Sequence, residues 1–184
     1  MEYIPQKIDL MPLKKHYLNR ARITGQLESD DPLRRIVDAI YKEGLTLVNP
    51  AIYFETLDIS AVPQTFIPGK FAGAKRITLF ASTLGLAVDD RIQDYMSRNM
   101  VLDSQLLDAW SSESLEALND AFDTVLRNEN GEGTIRFSPG YGDIAVNINR
   151  SFLEFLNVPC INAHSETGIL TPVKSTTCMI GWYA

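Results

Sequence analysis

Apolar residues recur every three to four positions along some stretches of the chain and alternate with polar residues along others. The first pattern is typical of a helix with one buried face, and the second of a half-buried strand. Helices are predicted at about residues 12–22, 32–44, 87–100, 103–127 and 144–156. Strands are predicted at about residues 51–59, 75–82 and 173–183. Helices and strands therefore interleave, and the strands lie far apart in sequence.

Local signals refine this pattern. Asp31 followed by Pro32 is a typical helix start, since it places an acidic cap before a proline in the first turn. In the 103–127 helix, Leu115, Leu118, Phe122 and Val125 form an apolar stripe. The pair Ser111 and Ser112 leaves open whether that helix is interrupted.

The interleaved elements predict an α/β or α+β fold in one domain spanning residues 1–184. We expect a twisted sheet, mixed or mainly antiparallel, flanked by helices. The last strand, at 173–183, is a candidate for insertion between two earlier strands.

Composition is ordinary for a soluble globular protein, with 184 residues, 45% hydrophobic and 22% charged. The longest apolar runs are far too short to span a membrane, and Met1–Pro5 does not resemble the start of a signal peptide. Cys160 and Cys178 are too few for a disulfide framework. We expect both to be reduced, buried thiols in a cytoplasmic protein.

The net charge of −6 argues against a nucleic-acid partner, because nucleic-acid-binding surfaces concentrate Lys and Arg. One basic cluster is the exception, and it contains Lys14, Lys15, His16, Arg20 and Arg22. Acidic residues follow it closely, so a solvated helix face is favoured over a binding patch.

The usual catalytic arrangements are missing from the sequence. It has no nucleophile elbow, phosphate loop, zinc-ligand spacing or dinucleotide fingerprint. The two histidines, His16 and His164, are far apart, and Ser165-Glu166 after His164 is more typical of a solvated loop than of a triad. Independent hydrolytic or redox chemistry therefore has no support in the sequence.

The segment Arg136-Phe-Ser-Pro-Gly-Tyr-Gly-Asp143 is the most unusual part of the chain. Pro139 fixes its φ angle and lacks an amide donor, whereas Gly140 tolerates positive φ and allows close approach to its backbone. We therefore predict a shaped loop. Beside Arg136 and Tyr141, such a loop suits a small ligand that is partly charged and partly aromatic.

Each side chain near this loop has two interpretations. Arg136 suits a ligand carboxylate or a structural salt bridge. Tyr141 suits stacking on a ring or covering the core. Glu116, Asp120 and Asp123 share one helix face, which suits an ammonium or sulfonium group or simple exposure to solvent. Only their meeting in space would favour the ligand-binding interpretation.

Several of these motifs together resemble the reactivation (activation) domain of cobalamin-dependent methionine synthase. They are Arg136-Phe-Ser-Pro-Gly-Tyr141, the helix with Asn149-Arg150, the tail from Glu166 to Gly181, and the preceding helix Leu118-Asn-Asp-Ala-Phe122. The resemblance is firm over 115–183 and looser upstream. The overall length and Thr83-Leu84-Gly85 resemble free-standing relatives of that domain.

This resemblance implies a C-shaped domain with a twisted, mainly antiparallel sheet. It implies an accessory role in a methyltransferase system, without catalytic residues or a bound metal of its own. The domain would bind S-adenosylmethionine and dock on the cobalamin module of a methionine synthase that lacks its own activation domain. Flavodoxin or another reductant would supply the electron for reductive methylation of cob(II)alamin.

The resemblance also implies roles for individual residues. Arg136 would hold the ligand carboxylate, Ser138 and Gly140 would contact the ligand through their backbones, and Tyr141 would lie between ligand and corrin. Asp120 occupies the position of a family glutamate, and Glu116 is its alternative.

Two other hypotheses remain open at this stage. The chain ends at Ala184, before the family's later tyrosine-bearing extension. That difference, with Asp120 in place of glutamate, motivates a non-enzymatic module that binds a corrinoid protein or senses S-adenosylmethionine. The third hypothesis is an unrelated domain whose loop covers a sheet edge.

Overall fold

The computed structural model describes residues 1–25, 27–28 and 30–184, and its helices and strands follow the predicted order. The helices are α1 (Lys14–Arg20), α2 (Pro32–Leu47), α3 (Ala87–Ser97), α4 (Val101–Asn130) and α5 (Asn149–Phe155). The strands are β1 (Glu2–Tyr3), β2 (Ala51–Asp58), β3 (Arg76–Thr83), β4 (Asn162–Ala163), β5 (Leu170–Thr171) and β6 (Ser175–Trp182). This mixture of helices and strands confirms the predicted fold class.

The main sheet is antiparallel throughout, as predicted. Within the described residues its strand order is β1-β2-β3-β6, and β4 pairs separately with β5. Ile52 lies opposite Ser82 in the β2–β3 pair, and Phe80 lies opposite Cys178 in the β3–β6 pair. The registers bring the C-terminal strand directly against β3.

Strand β6 lies at the end of the sheet, so the predicted insertion between two earlier strands is wrong. The segment 132–137 covers its outer edge through isolated bridges only. Phe137 and Met179 exchange two backbone hydrogen bonds, of 3.0 and 2.8 Å. This segment does not extend into a regular strand, since Pro139 lacks an amide donor and ends the pairing.

The two faces of the sheet pack against different layers. On one face Phe80 contacts Phe122 of α4 edge-on, with ring centroids 5.3 Å apart, and Ser82 Oγ donates to Asn119 Oδ1 at 2.7 Å. On the other face, buried residues of β3 and β6 pack against α5 and the preceding loops. That cluster includes Phe66, Phe71, Ile77, Leu79, Phe137, Phe152 and Met179. Alternation along each strand produces both cores.

The helical layer is built on α4, against which α2 and α3 pack. The predicted cap of α2 is confirmed, because Asp31 Oδ1 accepts the Leu33 amide at 2.8 Å. Its predicted end near Gly44 is wrong, and the helix continues to Leu47. Gly44 lies at a close contact with buried Trp110, so a glycine is needed here for packing rather than for helix termination.

Helix α4 runs without interruption through Ser111 and Ser112, which settles the question left open by the sequence. Both serine hydroxyls donate to the carbonyl of Asp108, at 3.0 and 2.9 Å. Because the hydroxyls are satisfied by the preceding turn, they do not compete with the helix backbone.

Several smaller predictions need correction. The predicted helix over 144–156 begins only at Asn149, after a short 3₁₀ turn. Cys178 is buried as expected, but Cys160 is exposed, in the loop that follows Pro159. In the described part of the chain, no helix is both long and apolar enough to cross a membrane.

Candidate functional site

The loop from 136 to 144 is closed by its own backbone. Gly140 has a φ angle of +95°, and its amide donates to the Ile144 carbonyl at 2.8 Å. The Ile144 amide donates in turn to the Tyr141 carbonyl at 3.2 Å. Gly142 also has positive φ, at +54°. The predicted shaped loop is therefore confirmed, and glycine is needed at both turns.

Two contacts fasten the start of this loop to the rest of the fold. Phe137 is held on β6 by the backbone pair with Met179. Arg127, near the end of α4, donates through Nη2 to the Thr134 carbonyl at 2.8 Å and pairs with Asp123 at 3.0 Å. The segment leading to Arg136 is thus held between α4 and β6.

Arg136 meets the acidic face of α4. Its Nη2 lies 3.2 Å from Glu116 Oε2 and 2.9 Å from Asp120 Oδ1. Asp123, the third member of the predicted acidic line, pairs with Arg127 instead. Arg136 Nη1 is buried and finds no hydrogen-bond partner among the described residues. A buried donor without a partner is costly. Because this nitrogen is closed to solvent, a ligand oxygen reaches it only after neighbouring side chains shift.

An open pocket of about 370 Å³ lies beside this ion pair. Its lining residues are Lys70, Glu116, Asn119, Ile135, Arg136, Phe137, Ser138, Tyr141, Thr176 and Cys178. Charged, aromatic and polar side chains line this pocket, which lies between α4, the 136–144 loop and β6. This size and mixture suit a small polar ligand.

The structure brings most of the predicted site residues to this pocket. Glu116, Arg136, Ser138 and Tyr141 line it, and Asp120 contacts it through Arg136. Gly140 is not among the lining residues, and its amide already serves the loop.

The side chains at the pocket differ in their exposure and in their contacts. Tyr141 is 69% exposed at the rim, so its ring is accessible to a ligand or partner. Ser138 Oγ lies 3.2 Å from Cys178 Sγ and therefore faces the sheet. Burial raises the pKa of the Cys178 thiol, and nearby Arg136 opposes that shift. Cys178 is thus a neutral thiol at neutral pH, a wall of the pocket rather than a nucleophile.

Sequence reasoning missed several lining residues. Asn119 and Cys178 were hidden within an apolar helix and strand, where nothing marked them as site residues. Lys70 follows Pro68-Gly69 in the connection between β2 and β3, and its Nζ lies 4.0 Å from the centroid of the Phe137 ring. No spacing signal links Lys70 to Arg136, since 66 positions separate them in the sequence.

His164, which precedes Ser165 and Glu166 in the sequence, lies in a turn that it caps with its own side chain. Its Nδ1 accepts the amides of Glu166 and Thr167, each at 3.3 Å. Across the described residues, no cluster of three His, Cys, Asp or Glu side chains is arranged to hold a metal ion. The pocket lining carries charged side chains of both signs.

Comparison with solved structures identifies a similar fold. The chain superposes on a crystal structure of the MetH reactivation domain bound to AdoHcy, with a TM-score of 0.66. The match covers 100% of this chain and 78% of that chain, at 14% sequence identity. The chain has the fold of the MetH reactivation domain. No protein-family profile and no curated protein sequence matches it.

This likeness confirms, at the level of fold, the resemblance inferred from the sequence motifs. The structural match extends over residues 1–184, whereas the firm motif resemblance covers only 115–183. The shared fold therefore includes the upstream part, where the motifs match loosely. A sequence identity of 14% supports a shared fold but not a shared ligand. Any function must therefore be argued from the chemistry of this chain's own pocket residues.

Proposed function

We propose that this chain binds S-adenosylmethionine and acts as a reactivation component for a cobalamin-dependent methionine synthase. The observation that carries the proposal is the meeting of Arg136 with Glu116 and Asp120 beside an open pocket. It is supported by the fold shared with a domain that binds AdoHcy. AdoHcy is S-adenosylhomocysteine, the demethylated form of S-adenosylmethionine.

The amino-acid end of the ligand carries one carboxylate and one ammonium. Arg136 lines the pocket and offers planar N–H donors to the carboxylate. Glu116 is 55% exposed and reaches the same pocket, so it accepts from the ammonium. Asp120, farther along the helix face, holds the guanidinium in place.

The adjoining surface suits a partner. Ile135 and Tyr141 line the pocket, and both are more than two-thirds exposed. Exposed apolar side chains beside a ligand pocket are typical of an interaction surface. In this proposal the partner is the cobalamin module of a methionine synthase lacking its own activation domain, and flavodoxin or another reductant supplies the electron. The protein contributes binding and orientation, and the bound cobalamin supplies the methyl-accepting chemistry.

Calorimetry with S-adenosylmethionine and with S-adenosylhomocysteine tests the binding. Arg136→Met should weaken both by about tenfold to a hundredfold, the usual cost of losing a charge-assisted hydrogen bond. Arg150→Met is the matched control, because Arg150 is exposed on α5 and pairs only locally with Glu154. No binding by the wild type, alone or with a cobalamin-loaded partner, would exclude the proposal.

A second candidate is a non-enzymatic module that binds a corrinoid protein or senses S-adenosylmethionine. It is favoured by the ion pairs that already occupy Arg136 Nη2, which leave less of the guanidinium for a ligand. Absorption spectroscopy of cob(II)alamin on the partner, with a reductant, separates the two. Methylcobalamin that forms only with this protein and S-adenosylmethionine supports reactivation, whereas a spectral shift without methylation supports the second candidate.

A further inference from the structure

Lys70 lines the same pocket as Glu116 and Asn119 of α4. It belongs to the short 3₁₀ turn Gly69–Phe71, which is anchored in the core by the buried ring of Phe71. Its Nζ lies over Phe137, one residue from Arg136. No carboxylate of the described residues lies within salt-bridge distance of this ammonium.

The charges around Arg136 favour a second cation in the pocket. Glu116 and Asp120 both contact Nη2, so two negative charges face one positive charge. A ligand carboxylate that approaches this trio meets a net charge of about −1, which opposes binding. With Lys70 included, the four groups balance, and the pocket becomes complementary to a zwitterion.

Asp143 fixes the turn that carries Lys70. Its Oδ2 accepts the Gly69 amide at 2.7 Å, across 74 positions of sequence. This bond joins the far end of the 136–144 loop to the Lys70 turn. The loop that presents Arg136 therefore also sets the position of Lys70.

We propose that Lys70 is a second carboxylate-binding residue of the pocket, positioned by the Asp143–Gly69 hydrogen bond. The inference rests on the proposed function, since it concerns the carboxylate of the same ligand. Arg136 and Lys70, which line the same pocket, both donate to the carboxylate, and Glu116 receives the ammonium.

Two ligands that differ in the amino-acid group test the role of Lys70. S-adenosylhomocysteine carries the carboxylate, and 5′-methylthioadenosine lacks it. Lys70→Gln should weaken the first by about twofold to fivefold, the scale of an exposed ion pair, and leave the second unchanged. Lys75→Gln is the matched control, because it removes the same charge five residues away at an exposed position outside the pocket lining.

The positioning role of Asp143 is tested by a double-variant cycle. Asp143→Ala should weaken S-adenosylhomocysteine in the wild type and have little further effect in the Lys70→Gln background. Equal losses in both backgrounds would overturn the positioning role. Unchanged affinity of Lys70→Gln, or equal losses for both ligands, would overturn the inference while leaving the proposed function intact. Failure of the wild type to bind S-adenosylhomocysteine would overturn both.

Discussion

At the scale of single residues, Arg136 connects parts of the molecule that are distant in sequence. Its backbone follows the segment held by Arg127 and β6, and its side chain reaches two carboxylates one turn apart on α4. A guanidinium can serve several acceptors at once because its donors lie in a fixed plane. The same side chain therefore ties the loop to α4 at the wall of the pocket.

Tyr17 offers a residue-scale prediction about stability. Its hydroxyl is fully buried and has no hydrogen-bond partner in the part of the chain described. Tyr17→Phe should therefore raise the free energy of unfolding by about 1 kcal/mol, because it removes an unsatisfied polar group. Tyr41→Phe is the control and should lower it by about 1 kcal/mol, since the Tyr41 hydroxyl donates to the Pro12 carbonyl at 2.8 Å. Urea denaturation of the three proteins measures both effects.

The same variant has a pH signature. Burial raises the pKa of Tyr17 in the folded protein, whereas the unfolded chain titrates near its ordinary value of about 10. Below about pH 10 the phenol is neutral in both states, so the free energy of unfolding does not depend on its titration. Above that pH the unfolded chain loses the proton first, and the free energy of unfolding of the wild type falls as pH rises further. The advantage of Tyr17→Phe should grow between pH 8 and pH 11. A difference that stays constant with pH would contradict burial of the hydroxyl.

At the scale of elements, the contact between α2 and α4 depends on Gly44. A Cβ atom added there would lie 2.6 Å from Trp110 Cδ2, well inside van der Waals contact. Gly44→Ala should destabilise the protein by about 1–3 kcal/mol through overpacking, despite the better helix propensity of alanine. Combining it with Trp110→Leu should cost less than the sum of the two single variants, as measured by chemical denaturation. Strict additivity would show that the helices do not meet at this point.

Periodicity predicted these elements well because it reports which face of each is buried. Gly44 was misleading, because this glycine lies inside the helix and is required by its close contact with Trp110. The 3₁₀ turns between β2 and β3 were invisible to periodicity, because they are too short for a repeat. Their aromatic residues Phe66 and Phe71 are nevertheless buried in the core.

At the scale of the whole molecule, the pocket depends on contacts between distant parts of the chain. The sequence indicated Arg136 and the acidic face of α4 separately, but their pairing joins positions 20 apart. The Gly69–Asp143 bond spans 74 positions and joins the turn that carries Lys70 to the 136–144 loop. Such pairs are fixed by tertiary packing, which no local pattern encodes.

The pocket lies between the helical layer and the 136–144 loop, which flanks the outer edge of β6. A ligand bound there should therefore stabilise both parts together. At a concentration one hundred times its dissociation constant, S-adenosylhomocysteine should add about 2.7 kcal/mol to the free energy of unfolding. For a chain of this size that corresponds to a rise in Tm of roughly 5–10 °C. Differential scanning calorimetry should show the rise in the wild type and in Arg150→Met. In Arg136→Met, at the same ligand concentration, the rise should be much smaller. A wild-type Tm that does not move, although titration shows binding, would mean that the ligand binds the unfolded chain equally well and does not recognise the assembled pocket.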